Sequence, residues 1–345
     1  MLSSFNAWRC EMAIKFNVEN VVYILGAGFS AQFGLPIMSN FLEKSKDMYA
    51  LKDYPENDLK HIDFFGKIYN EIDKLRRCKD FYASDMTNIE EILSLFEMGK
   101  MLGVESKQQI DFQKFIADVI KYYTPSPEQI HEEKQHFEDI FLFLLHMFGR
   151  KNSEDFRPDQ LLPNYSILTF NYDDLLENIL QYCKTQKKGA YTHLRLSPNS
   201  IASNKDTVPY IKLHGTVSNS ETIITPTWKK AFCNDETSYW KIAGKLLCDA
   251  NHIRIIGYSL PVTDSYLKYF LKWGAAHESN LKSVDVICLD DEQHSVENRY
   301  KNFIHNKLNF YNMSTGDYLK AIRENIEEAH RNSLKKVSNG KRFSW

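Results

Sequence analysis

The sequence predicts an α/β protein: a doubly wound, mostly parallel sheet carrying a large helical insertion. Three observations predict it. Five short apolar runs each end in small or polar loop residues. Helical patterns fill several gaps between them, and strands alternating with helices favour a sheet covered on both faces. One gap, from Gly26 to Tyr165, is much longer than the rest and reads as mainly helical.

The first run, residues 20–26, is N-V-V-Y-I-L-G. It is β-branched and almost wholly apolar, as a strand buried on both faces requires. Similar runs follow at 165–170 (Y-S-I-L-T-F), 210–213 (Y-I-K-L), 252–257 (H-I-R-I-I-G) and 284–289 (V-D-V-I-C-L). In the long gap, residues 63–77, 108–123 and 136–148 carry helical periodicity, with Gly149 expected as a C-cap. Thr87-Asn88-Ile89-Glu90 fits a capping box, and Ile89, Ile92, Leu93, Phe96 and Leu95 then make one apolar face. Residues 39–160 are therefore expected as an inserted helical subdomain. A polar hinge at 151–163 contains Pro158 and Pro163. Residues 191–209, rich in Ser, Asn, Pro and Thr, read as loop. Residues 315–337 read as a final helix with Tyr318, Leu319, Ile322, Ile326 and Ala329 on its apolar face. From Arg331 onward there are five basic and no acidic residues. This tail is either a solvated, frayed end or a segment that docks on an anionic partner.

Composition bounds the function. The chain has 345 residues, enough for about two domains at ~150 residues each. It carries 43 basic and 45 acidic residues, a net charge of -2, which excludes a surface coated for general nucleic-acid binding. The densest apolar stretch, 140–148, is broken by His146 and is far short of the ~20 residues a bilayer span needs. The first 19 residues have no apolar signal core, so a cytoplasmic protein without membrane attachment is expected. Six cysteines, Cys10, Cys78, Cys183, Cys233, Cys248 and Cys288, form no C-x-x-C pair. Reduced thiols and no metal are expected. Cys248 and His252 are four apart and could share a helix face, but two ligands do not make a site.

Four strand-end segments could carry chemistry. Gly26-Ala27-Gly28-Phe29-Ser30, continuing to Gly34-Leu35-Pro36, follows the first strand. Glycines there permit a sharp turn, and a helix starting near Ser30 would favour a phosphate. The glycine spacing is neither the dinucleotide fingerprint nor a phosphate-loop NTPase motif, so a purely structural turn is an equal reading. Thr169-Phe170-Asn171-Tyr172-Asp173-Asp174 ends the second strand. It offers an amide and a carboxylate to a ligand, or a cap to the helix that follows. Leu213-His214-Gly215 ends the third, with a histidine that is either a base or a structural side chain. Ile256-Gly257-Tyr258-Ser259-Leu260-Pro261, reaching Asp264, is either a ligand loop or an ordinary strand–helix corner. In a parallel sheet all four face the same edge, which favours one shared cleft.

In this order the four segments resemble the sirtuin superfamily, and most closely its sirtuin-like NAD hydrolase domains in bacterial anti-phage defence proteins. The resemblance lies in G-A-G-F-S-x-x-x-G-L-P, T-F-N-Y-D-D-L-L-E, H-G and I-G-Y-S-L-P-x-T-D. It implies a Rossmann-like NAD-binding catalytic domain over 1–38 and 161–312, with 313–345 as a C-terminal helix and basic tail. It further implies that Gly26, Ala27, Gly28 and Ser30 cradle a pyrophosphate and that Gly257 and Ser259 hold phosphate or ribose. Thr169 belongs to the same binding set, and Asp290, after the fifth strand, would bind the adenosine ribose. Asp173 would meet the nicotinamide carboxamide, Asn171 a ribose or water, and His214 the ribose hydroxyls as a base. Two departures stand out. The four-cysteine zinc module of the protein-deacylating members has no counterpart, and Leu35-Pro36 is followed by Ile37-Met38 where those enzymes have a phenylalanine and an arginine.

The resemblance thus implies an NAD⁺ glycohydrolase that depletes NAD⁺ in anti-phage defence, with NAD⁺ as substrate and no metal. Alternatives are a deacylase or ADP-ribosyltransferase, or a non-catalytic sensor of NAD or ADP-ribose. Such an activity needs restraint, so a homo-oligomer is expected, with a separate ATPase or translocase partner or a phage-derived trigger. No sequence-specific nucleic-acid binding is expected.

Overall fold

In the computed structural model the apolar runs become β1 (Asn20–Leu25), β2 (Asn164–Thr169), β4 (Thr207–Lys212), β5 (His252–Ile256) and β6 (Ser283–Cys288). The structure describes residues 19–51, 59–77, 88–103, 107–148, 164–185, 195–199, 207–224, 237–262, 264–276 and 281–340. Residues 1–18, Cys10, Cys78, Cys233, Thr87, Gly149, the hinge at 151–163 and the tail beyond residue 340 lie outside them.

With β3 (Arg195–Pro198) and β7 (Leu308–Asn312) these strands join one parallel sheet in the order β3-β4-β2-β1-β5-β6-β7. Two members depart from expectation. β3 lies within the stretch read as loop, and β7 was not expected. Both are edge strands with a single neighbour and exposed positions, so neither needs a continuous apolar run.

β1 accounts for the fold's centre. Val21, Tyr23 and Leu25 point into one core and Val22 and Ile24 into the other. Each fully buried side chain of this kind contributes roughly 1.5–3 kcal/mol. The first face is covered by α7 (Glu138–Phe148), α8 (Leu175–Thr185) and the start of α12 (Thr315–Gly340). The second is covered by α9 (Thr237–Cys248), α10 (Ser265–Ala276) and α11 (Ser295–Lys301).

The β1–β2 gap is helical, as its periodicity predicts. α2 (Phe41–Leu51), α3 (Leu59–Leu75), α4 (Ile89–Met101) and α5 (Lys107–Tyr123) share a third core with Phe65, Phe112 and Phe115 at its centre. Ile130 of α6 (Pro127–Glu132), with Ile140, Phe143 and Leu144 of α7, joins the core on the sheet instead. The cap of α4 is Asn88, whose side chain accepts from the N–H groups of Glu90 and Glu91, one residue later than the expected Thr87 box. Ile89, Ile92, Leu93 and Phe96 form the buried face as expected.

From β1 the chain moves to β2, then to the edge strand β3 and back to β4 between them, all on one side, and then crosses to β5 on β1's other side. The C-terminal ends of β1 and β5, paired at Leu25 and Ile256, are therefore a topological switch point, where loops part and ligands settle in such sheets.

Candidate functional site

A cavity of about 800 Å³ opens above that switch point, within the size range of small-molecule sites. Its floor comes from the loops after β1, β2, β4, β5, β6 and β7. Ile37, Met38, Phe41, Ile89, Glu90 and Ile120 of the helical region form a wall. Ala27, Gly28, Asn171, Asp173, His214, Gly257 and Ser259 all line it. The strand-end segments do share one hollow. Gly26, Ser30, Thr169 and Asp290 are not among its lining residues.

The glycines act differently from a phosphate loop. α1 (Ala27–Ala31) starts at Ala27, capped by Gly26, three residues before the expected start at Ser30. Gly26 N–H donates to Ile256 O (3.0 Å) and Gly28 N–H to Gly257 O (2.8 Å), while Phe29 N–H returns to Gly26 O. A Cβ on Gly257, whose φ is +65°, would lie 2.1 Å from Phe29 N. The β1 and β5 loops thus touch backbone to backbone, which only glycine permits. The contact takes the Gly28 N–H, and the Phe29 N–H is taken within the β1 loop itself by Gly26 O.

Asn171 is locked beneath the cavity. Its Nδ2 donates to Gly26 O (2.9 Å) and to Ser30 Oγ (3.1 Å). A carbonyl can only accept, so the orientation of the amide is determined. Both amide hydrogens are spent, and Oδ1 is what Asn171 offers a ligand. Thr169 Oγ1 accepts from Asn171 N–H at 3.0 Å and so supports it from below. Ser30, 2% exposed, accepts from Asn171 and hydrogen-bonds the Asp173 carboxylate. Its place is beneath Asn171, and it is not among the residues that line the cavity.

Asp173 both caps the following helix and faces the cavity. Its Oδ1 accepts from Leu175 N–H at the start of α8, and the side chain lines the cavity. Burial pushes its pKa above the ordinary carboxylate value, opposed by the Lys212 ammonium. That lysine pairs with Asp174 (2.5 Å) and Glu177 (2.9 Å). Asp174 also accepts from Thr216 Oγ1 (2.8 Å). Burial alone would raise the Asp174 pKa; Lys212 and the Ser218 and Thr216 hydroxyls outweigh it and hold it low. The network ties the loop bearing Asn171 and Asp173 to the loop bearing His214.

His214 is 2% exposed and packs against Phe170 at 4.9 Å between ring centroids, with Tyr172 and Trp240 further out. Gly215 follows at φ +87°, where a Cβ would meet Thr222 O at 1.9 Å. Across the cavity, Tyr258 donates to Asp264 (2.6 Å), which also accepts from Leu267 N–H and anchors α10.

Asp290 departs from expectation. Its carboxylate accepts from the N–H groups of Asp291, Val296 and Glu297, saturating the first turn of α11. Those bonds hold its pKa below the ordinary value despite some burial cost. Capping the short helix takes the carboxylate that was expected on a ribose. Asp290, His294 and Glu297 do gather as possible ligands, but the same capping bonds occupy Asp290. Cys248 ends α9 and His252 opens β5, so they share no helix face; His252 contacts Ser283 and Glu19.

The sequence reading missed Arg299 and Glu90, which reach the cavity from helices, and Asp264, which stood in the quoted motif without a role. Asp264 could have been found from its place after the strand-end loop. Arg299 and Glu90 carry no local signal.

Comparison with protein families identifies the region around this floor. Residues 165–310 match the SIR2-like domain. The match includes the sirtuin-like segments at Asn171–Asp173, His214 and Gly257–Ser259, and begins after the Gly26–Ser30 loop. No curated protein matches the sequence. Two solved structures align over most of the chain. One, described as "Structure of Sir2Tm bound to a propionylated peptide", has 12% identity and a TM-score of 0.33, covering 91% of this chain and 94% of that one. The other, "The Structural basis of Sirtuin Substrate Affinity", has 14% identity and a TM-score of 0.33, covering 90% and 95%. No helix among the described residues is long and apolar enough to cross a membrane.

Proposed function

We propose that the protein is an NAD⁺ glycohydrolase, cleaving NAD⁺ to nicotinamide and ADP-ribose. The carrying observation is the convergence of Asn171, Asp173 and His214 on one cavity above the β1/β5 switch point, within a sirtuin-like domain. The cavity suits a dinucleotide in size, and its floor alternates glycine backbone with polar side chains.

Nicotinamide bound to ribose is already a cationic leaving group. The protein must orient it, steady the positive charge left on the ribose, and supply water. Asp173 accepts from or donates to the carboxamide. Asn171 Oδ1 accepts from a water or a ribose hydroxyl, the role its spent amide hydrogens leave it. His214 accepts a ribose hydroxyl or water proton, a kind of assistance worth about 10²–10⁴-fold. The absent four-cysteine module and the Ile37-Met38 wall favour hydrolysis over transfer to an acylated peptide.

The test is chromatography of all products after incubating the full chain with NAD⁺, alone and with an acylated peptide. Free nicotinamide and ADP-ribose without peptide are expected. Asn171→Ala and His214→Ala are each expected to lower the rate about 10²–10⁴-fold. Peptide-dependent release would make the protein a transferase, and binding without turnover would make it a sensor. We further propose that this activity depletes NAD⁺ in the bacterial cytoplasm during phage infection. A homo-oligomer or a separate ATPase partner would hold it in check. Unchanged cellular NAD⁺ on infection of an expressing strain would refute that role.

A further inference from the structure

The far end of the cavity has the wrong charge for an ordinary NAD⁺ ribose site. If the reacting end lies at Asn171 and His214, as the proposed function holds, the second nucleotide extends over the ends of β6 and β7. There the lining includes Ser259, Leu289, Arg299 and Ser314. A site selective for NAD⁺ sets a carboxylate against the adenosine ribose hydroxyls, which repels a 2′-phosphate; an arginine at this place accommodates one. The two strand-end carboxylates here point into the first turn of α11. Asp290 accepts from Val296 N–H (2.8 Å) and Glu297 N–H (2.9 Å), and Asp291 from Ser295 N–H (2.9 Å). Neither lines the cavity.

Arg299 does. Its Nε donates to Ser259 O at 3.1 Å, which fixes the guanidinium at the wall and leaves its two Nη groups for a ligand. Among the described residues Arg299 forms no ion pair within 4.0 Å; the exposed Asp291 carboxylate attracts it at longer range. A planar fork held at one nitrogen and open at two suits a phosphate better than a hydroxyl. We infer that the cavity accepts a dinucleotide bearing a 2′-phosphate on its adenosine ribose, NADP⁺ as well as NAD⁺, with Arg299 as the contact for that phosphate.

Two stable ligands separate this from the hydrolase reading, because neither can be hydrolysed at the nicotinamide bond. The full chain is titrated calorimetrically with ADP-ribose and with 2′-phospho-ADP-ribose. The phosphorylated ligand is expected to bind at least as tightly. Arg299→Ala is expected to weaken it about tenfold more than it weakens ADP-ribose, and Arg299→Lys to fall between. Thermal unfolding of the free variants checks the Ser259 anchor, and Arg299→Lys stands in should the alanine variant not fold. ADP-ribose binding tenfold more tightly than its phosphorylated form would overturn the inference and spare the hydrolase reading. Equal losses for both ligands in Arg299→Ala would also overturn it, assigning Arg299 to the pyrophosphate. Failure of both ligands and of NAD⁺ to bind would overturn the dinucleotide reading itself.

Discussion

Replacing Gly257 with alanine tests whether the glycines hold two loops together. Gly257 adopts φ +65°, and a left-handed L-residue costs roughly 1–2 kcal/mol. The added Cβ would also lie 2.1 Å from Phe29 N and 2.4 Å from Gly28 C, both backbone atoms that no rotamer change can move. Overpacking of this kind adds about 1–3 kcal/mol. Gly257→Ala should therefore destabilise by about 2–5 kcal/mol in total, summing those two ranges. Gly34 is an internal reference. Its φ is +87°, yet nothing lies within 4 Å of a methyl added there, so Gly34→Ala should cost only the conformational ~1–2 kcal/mol. Urea unfolding followed by circular dichroism measures both, provided the two variants share one denaturant slope. Nicotinamide release should fall with Gly257→Ala, because parting the β1 and β5 loops breaks the cavity floor that Gly26 shares with Asn171. Equal destabilisation by the two substitutions would refute the account of the glycines as a loop-to-loop contact.

Asp173→Asn should raise the melting temperature at neutral pH while lowering NAD⁺ turnover about 10²-fold. Burial lifts the folded pKa of Asp173, so the stability linked to its protonated form is full below the ordinary value of 3.8 and is lost as pH rises through the folded value. Differential scanning calorimetry between pH 4 and pH 7, values set by that ordinary carboxylate range, should find the gain shrinking as pH falls. Lys212→Met should destabilise by about 3 kcal/mol, since it strands Asp174 and Glu177 without their shared cation. The Asp174 pKa is lowered, so its contribution is present above 3.8 and is lost as pH falls through the folded value. Acid unfolding should accordingly be steeper in the native protein than in Lys212→Met; equal slopes would sink the ion-pair account.

Residues legible in the sequence were those whose environment is set locally. β1 is apolar on successive residues because both faces are covered, and β2, β5 and β6 each carry near the end a short apolar pair or triplet that stands out despite Ser166, Arg254 and Asp285. β3 reads R-L-S-P and β7 reads L-N-F-Y-N; an edge strand needs neither composition nor length to pair once a neighbour is present. The shared cavity followed from strand direction alone, since parallel strands end at one edge. The division of labour inside it did not. Ser30 supports Asn171 from within α1, which begins three residues early, and Thr169 does so through the turn at the end of β2; no motif encodes either role. Asp290 sits at a strand end as the resemblance implies, but the first turn of α11 lies closer and holds both carboxylate oxygens. Arg299 and Glu90 approach from helices remote in sequence, so only the assembled fold brings them there.

Thr315 Oγ1 donates to Gly28 O at 3.0 Å, pinning the start of α12 to the first glycine loop. Met313, Ser314 and Thr315 also close one side of the cavity. The loop after β1 and the start of α12, 287 residues apart in sequence, thus meet around the same hollow. A growing polypeptide on the ribosome has Asn171 and His214 before it has Thr315, so the floor of the hollow is made before this side of it.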